Sequence, residues 1–172
     1  FDIKRYRNLD GTQYRRFDGT IDLADDIDNP YWIINMDKLT SQTKRFTGGL
    51  NASFKIADWW DVIARLGYDQ YATNDYTYIA PGSAVIPLYQ NGRLSKRLYD
   101  YTFITTTAMS NFHKKVGDFD LRLLLGTTSE NTEIKSQNQW GYNFVTAGTI
   151  AFSNFAPENQ FFRDRITQKR LV

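Results

Sequence analysis

The chain has 172 residues, 41% of them apolar, a formal net charge of +2 and no cysteine. That is enough apolar material for the core of one ordinary domain, and the scattered Lys and Arg point to neither an acidic partner nor a nucleic acid. Missing thiols exclude a disulfide scaffold and a Cys-based metal site, and the single histidine, His113, leaves no His-cluster metal site or His-dependent triad to expect.

Aromatic residues make up 16% of the chain, with 11 Tyr, 12 Phe and 4 Trp. Together with plentiful Thr, Asn and Gly they lean towards β structure. No apolar run is long enough for a transmembrane helix. The mean hydropathy is negative, but this does not argue for a soluble protein, because barrel strands alternate and hide a lipid face from any average. Phe1 is not a start methionine, no signal peptide follows, and the sequence stops inside the alternating segment "RITQKRLV". A fragment of a longer chain is expected.

Residues 1–43 are read as a long extracellular loop region, with turn signals at "LDGT", "FDGT" and "DDIDNP". Within it, "DNPYWIINMDK" crowds Pro30, Tyr31 and Trp32 between polar stretches and shows no helix signature. The pattern then changes. In "RFTGGLNASFKI", Phe46, Gly48, Leu50, Ala52, Phe54 and Ile56 share one parity and Arg45, Thr47, Gly49, Asn51, Ser53 and Lys55 the other. A period of two over a dozen residues is a strand with one apolar face. A tight turn near 57–59 leads into "WDVIARLGYDQY", where Trp60, Val62, Ala64, Leu66 and Tyr68 share a face against Asp61, Arg65, Gly67 and Asp69. Two such runs on so short a link make an antiparallel hairpin.

A long connection near 73–95, punctuated by Pro81, Gly82, Pro87 and Gly92, precedes a third run, "RLYDYTFITTTAMSNFHKK". Its faces are less distinct: Tyr99, Tyr101, Phe103 and Met109 take one parity, Ile104, Ala108 and Phe112 the other. A second tight turn near 116–118 opens "FDLRLLLGTTSENTEIKSQ", with Phe119, Leu121, Leu123 and Leu125 against Asp120, Arg122 and Gly126. A second long connection near 138–160 leads to a fifth strand in "FFRDRITQKRLV". Short turns at one end and long loops at the other are the layout of an outer-membrane β-barrel. Trp59, Trp60 and Phe119 beside the turns, and Tyr68, Tyr71, Tyr99 and Tyr101 at the opposite strand ends, read as two interfacial aromatic bands. The expected fold is all-β: an antiparallel transmembrane β-barrel segment of about four to five strands.

The ordered set "NPYW" (Asn29 to Trp32), "RFTGGLNASFKIADWWDVIARLGYDQY" and "VGDFDLRLLLGTTSE" resembles the SusC/RagA-type TonB-dependent transporters of Gram-negative outer membranes. It carries the family's "D-W" turn at Asp58-Trp59 and a "GxDxY"-like strand at Gly67-Tyr68-Asp69-Gln70-Tyr71. It departs from the pattern at Val116 and Asp120, where Phe and His are commoner. The resemblance covers the chain from about residue 28 onward. It implies a plugged barrel of roughly 22 strands, a TonB contact through a plug that these residues do not include, a SusD-like lipoprotein lid, and import of an oligosaccharide or peptide. Another outer-membrane barrel, such as a porin or an assembly component, and a soluble carbohydrate-binding β-sandwich are the alternatives.

No enzyme constellation is visible, and neither a cofactor nor a metal is expected. Asp25 and Asp26 in "DLADDIDN" are adjacent carboxylates without EF-hand spacing or its closing Glu. Plain solvation is the expectation there, with calcium as the alternative. On a barrel wall, Arg45, Asn51, Lys55, Asp61, Arg65, Asp69 and Arg122 are expected to face the lumen, hydrating it and pairing with a plug. The loop aromatics Tyr76, Tyr78, Tyr89, Trp140, Tyr142 and Phe144 are the candidates for contact with a ligand or lid, since aromatic faces stack on sugars and peptides.

Overall fold

The computed structural model describes residues 2–15, 27–83 and 87–171. Five strands dominate them: β1 (Lys38–Ala57), β2 (Trp60–Ile79), β3 (Arg93–Val116), β4 (Phe119–Tyr142) and β5 (Gln160–Leu171). They form one antiparallel sheet in the order β1-β2-β3-β4-β5. Each strand pairs with its neighbour in sequence, across two tight turns and two long connections alike. The sheet does not close into a barrel, and among the described residues β1 and β5 are its edges.

The tight ends are residues 58–59 and 117–118. Gly117 sits at φ +60°, and a Cβ there would meet nothing within 4 Å. Its glycine therefore serves backbone conformation alone. The strands are longer at the opposite end than their composition announces. β1 begins inside the region read as loop, β2 runs on to Ile79, and β4 runs to Tyr142. Asn, Asp and Gly there resemble turn chemistry, but a ladder needs only backbone groups on a partner strand, and that requirement overrode the composition.

One α-helix, α1 (Pro30–Met36), precedes β1, where the sequence pattern shows no helix. Its start signals are nonetheless present. Asn29 is the N-cap, its side-chain oxygen accepting the Tyr31 N–H at 2.9 Å, and Pro30 occupies the first turn, where its missing N–H costs nothing. Seven residues are too few to show a 3.6-residue stripe or to be stable alone. The helix is held by burial of Trp32, which is 3% exposed.

The chain divides into two compact units. The connection unit comprises Phe1–Gln42, Asn74–Leu98 and Gln137–Asp164; the strand unit comprises Thr43–Thr73, Tyr99–Ser136 and Arg165–Val172. The described core lies in the connection unit: Trp32, Ala80, Leu94 and Phe155 are its buried apolar residues. Phe155 stacks on Phe144 at 4.4 Å. Gly92, at φ +86°, lets the Phe144 ring lie where a Cβ would come within 2.7 Å of it.

In the strand unit no described residue is buried. Side-chain contacts fix which residues share a face. Thr43 meets Thr73, Thr47 and Arg45 meet Asp69, and Tyr71 stacks on Tyr99 and Tyr101. Odd positions of β1, β2 and β3 therefore share one face, which even positions of β4 join through Thr107 and Thr128. On the other face Phe46 meets Tyr68, and Trp60 meets Ser110 and Phe112. This second face carries Phe46, Leu50, Phe54 and Ile56 of β1, Val62 and Leu66 of β2, Ile104 of β3, and Phe119, Leu121, Leu123 and Leu125 of β4. Leu50 is 71% exposed and Phe119 74%. The mixed parity of β3 is resolved by its neighbours, Tyr101 lying with Tyr71 and Phe112 with Trp60.

Candidate functional site

On the polar face of the strand unit, Asp69 gathers three donors. Arg45 Nε donates to its Oδ1 at 2.9 Å and Arg45 Nη2 to its Oδ2 at 2.7 Å, while the Thr47 hydroxyl donates to Oδ1 at 2.9 Å. This two-point pairing fixes the guanidinium plane and sets it 6.0 Å from the Tyr71 ring centre. Tyr71 in turn stacks on Tyr101 at 4.9 Å and on Tyr99 at 5.8 Å. Of the four tyrosines expected to form an interfacial band, only Tyr68 stands on the apolar face. Tyr71, Tyr99 and Tyr101 stand with Arg45 and Asp69, a correction that follows from strand register. At the turn end the apolar face does carry a stacked aromatic set, Trp59, Trp60 and Phe112, with centroids about 6 Å apart. The Trp60 indole donates to Ser110 Oγ at 2.7 Å.

Among the other residues expected on the polar face, Asp61 and Arg122 line one cleft of about 500 Å³ with Asn111, His113 and Asp120. Arg122 pairs with Asp120 at 3.1 Å. Lys55 reaches Asp58 of the turn at 2.8 Å. Asn51 and Arg65 are exposed. His113 donates its backbone N–H to the Trp59 carbonyl. No group of three or more His, Cys, Asp or Glu is gathered among the described residues, and Asp25 and Asp26 lie outside those residues.

In the connection unit the loop aromatics pack on one another. Trp140 stacks on Phe161 at 5.3 Å, Tyr142 stacks on Phe161 at 5.7 Å, and Tyr89 tilts against Tyr142 at 6.3 Å. Arg93 lies 4.9 Å over the Tyr89 ring. Tyr78 tilts against Phe144, which belongs to the Phe155 core. Ring faces used this way are covered on the stacked side, so Phe144 and Tyr78 serve packing. Trp140 and Tyr142 both stack on Phe161, Tyr89 joins them through Tyr142, and all three are partly exposed. Tyr76 lies further along β2, between Asp75 and Thr77.

Sequence reasoning missed the polar network around "NPYW". The Asn29 amide donates to the Arg5 and Tyr14 carbonyls at 3.2 and 3.1 Å. Ser83 donates to the buried Asp28 carboxylate at 2.6 Å. Asp37 accepts the Ala80 N–H at 2.8 Å. Burial holds the Asp37 carboxyl above its ordinary value; the Ala80 hydrogen bond opposes this, and the nearby Asp28 charge adds to it. Asn154 closes the second long connection, accepting the Thr146 N–H and donating to the Thr146 and Thr149 carbonyls. The Asn-Pro pair was the one local signal for the first of these networks. No protein-family model and no curated protein matches the chain.

Proposed function

We propose that this chain is a wall segment of a TonB-dependent outer-membrane importer of the SusC/RagA type, taking up an oligosaccharide or peptide beneath a SusD-like surface lipoprotein. One observation carries the membrane part of this reading: the strand unit buries none of its described residues, yet sorts its side chains into an apolar face and a charged, hydroxyl-bearing face. A soluble sheet hides its apolar face against a second layer. A β-sandwich needs two sheets, and the described residues form one. Lipid is the solvent that suits such a face.

Dimensions agree. The row from Phe46 to Ile56 spans ten residue steps, or about 34 Å along the strand at ~3.4 Å per residue. At a tilt of ~45° that is roughly 24 Å of height, against an apolar band of about 25 Å in outer-membrane barrels. Backbone groups on the outer edges of β1 and β5 would be unpaired in lipid, so further strands must flank them. The importer part of the reading rests on the "NPYW", "D-W" and "GxDxY"-like resemblance. In this assignment the wall performs no reaction. It seals the barrel and presents Arg45, Asp69, Asp61 and Arg122 to the lumen and to a plug.

Single cysteines at 121, 122, 123 and 124, placed in the intact protein in outer-membrane vesicles, test the wall. Labels at 121 and 123 should be quenched by a lipid-soluble quencher, and those at 122 and 124 by a water-soluble one. Uniform quenching by the water-soluble agent at all four would sink the membrane assignment. Uptake that persists after deletion of TonB would remove the importer assignment and leave a passive porin.

A further inference from the structure

On the apolar face of the strand unit, the leucine row of β4 ends at Leu125, and Thr127, Ser129, Asn131, Glu133 and Lys135 take the same parity. There a cleft of about 470 Å³ opens across three strands, lined by Ile104 and Thr106 of β3, Ser129 and Asn131 of β4, and Gln168 and Arg170 of β5, with Lys169 at its margin. Gln168 donates to Glu133 at 2.9 Å, and Glu133 also pairs with Lys135. The acidic charge of Glu133 is thus matched by its own lysine, while Arg170, on the same face of β5 as Gln168, has no ion-pair partner among the described residues.

Resting on the membrane reading above, we propose that this cleft seats the phosphorylated headgroup of a lipid in the outer leaflet. An all-hydrocarbon neighbour does not account for hydroxyl, amide and guanidinium groups converging on a lipid-facing surface, because each loses hydrogen bonds there. A phosphate supplies what they need. Its oxygens accept charge-assisted hydrogen bonds from Arg170, and a cation beside the hydrocarbon boundary attracts anionic headgroups. Ser129, Asn131 and Gln168 face the remaining headgroup hydroxyls. Ile104 continues into the apolar row of the same face, giving the acyl chains a path along the strands. The cleft therefore recognises a phosphate joined to a polar, sugar-like head above a hydrocarbon tail.

Native mass spectrometry tests this on the full-length protein in mild detergent, titrated with diphosphorylated lipid A and, separately, with the same lipid stripped of phosphate. The expected result is retention of the phosphorylated form only, falling about tenfold in Arg170→Gln, the loss of one charge-assisted contact. Equal retention by Arg170→Gln and the parent protein, or equal retention of the two lipids, overturns the proposal. Assembly is checked by heat-modifiable migration. Should Arg170→Gln not assemble, Ser129→Ala with Asn131→Ala takes its place, with a several-fold loss expected and no loss overturning. The quenching pattern at 121–124, read on the same preparation, separates the two failures. An intact alternation with phosphate-independent retention removes the cleft assignment alone, whereas a lost alternation removes the membrane reading and the lipid site with it.

Discussion

In the connection unit Trp32, Ala80, Leu94 and Phe155 are out of water, and Asp28, Asn29 and Asn154 are buried with hydrogen-bond partners. In the strand unit no described residue is buried, although it carries the longer apolar rows. The same five strands contribute to both, so secondary structure does not explain the difference. The connection unit makes its own interior, as a water-exposed region must. The strand unit leaves its apolar side chains outward, as a sheet face that meets a partner surface or lipid does. Burial alone thus separates the two units, and the proposed membrane setting is one that would account for the difference.

The sharpest break of that comparison is Trp32→Ala. It removes the largest apolar side chain of the connection unit's core and should cost about 3–5 kcal/mol. The loss should appear as proteolysis near Ala80 and Gly82, with heat-modifiable migration of the full-length protein unchanged. Parallel loss of both would mean that the two units do not behave separately. Next comes the pair Leu50→Arg and Asn51→Arg. The first places a charge on the apolar face, at a penalty of about 2–4 kcal/mol near the bilayer midplane, while the second adds one to the polar face. A membrane-assembly assay should reject the first and accept the second; equal tolerance would overturn the assignment of Leu50 to lipid and Asn51 to the lumen.

Asn29→Ala should cost about 1–3 kcal/mol, since it removes the α1 cap and strips the Arg5 and Tyr14 carbonyls of a donor. Amide exchange at Tyr31 and Ile33 should quicken, and unchanged exchange would show the cap to be dispensable. The mildest test is Asp37→Asn. The folded carboxyl has a raised pKa, so the folded state holds that proton more tightly than the unfolded one. Its contribution is fully present below the unfolded value of about 3.9 and is lost as pH rises through the higher folded value. Asparagine keeps an oxygen for the Ala80 N–H but cannot ionise. Protection of the Ala80 amide should therefore fall with rising pH in the parent protein and stay level in the variant. A matching fall in both would assign the pH dependence to another group.

The strand architecture was legible wherever one face is uniformly apolar. β1 and β4 declare themselves through Phe46–Ile56 and Phe119–Leu125, because a period of two survives without knowledge of partners. β3 was legible as a strand but not in its facing, since Thr and aromatics occupy both its faces and only pairing with β2 sorts them. The facing of Tyr71, Tyr99 and Tyr101 escaped the sequence for a related reason: its pattern places them at strand ends but they lie inside β2 and β3, and place along a strand does not set which side a ring takes. α1 is hidden although Asn29 and Pro30 mark its start, because two turns are too short for periodicity and its stability comes from Trp32 packing. The cleft at Ser129 and Arg170 joins residues some forty positions apart in sequence, and no local pattern joins them.

The two-residue link at 117–118 sets which numbers of β4 share a side with which numbers of β3. Removing one residue there would move Phe119, Leu121, Leu123 and Leu125 to the opposite side in a single step, whereas the stretch between β4 and β5 has no such arithmetic to keep. A change of count at 117–118 should therefore invert a whole strand at once, whereas one between residues 143 and 159 should disturb only local contacts such as those of Asn154 and Phe155.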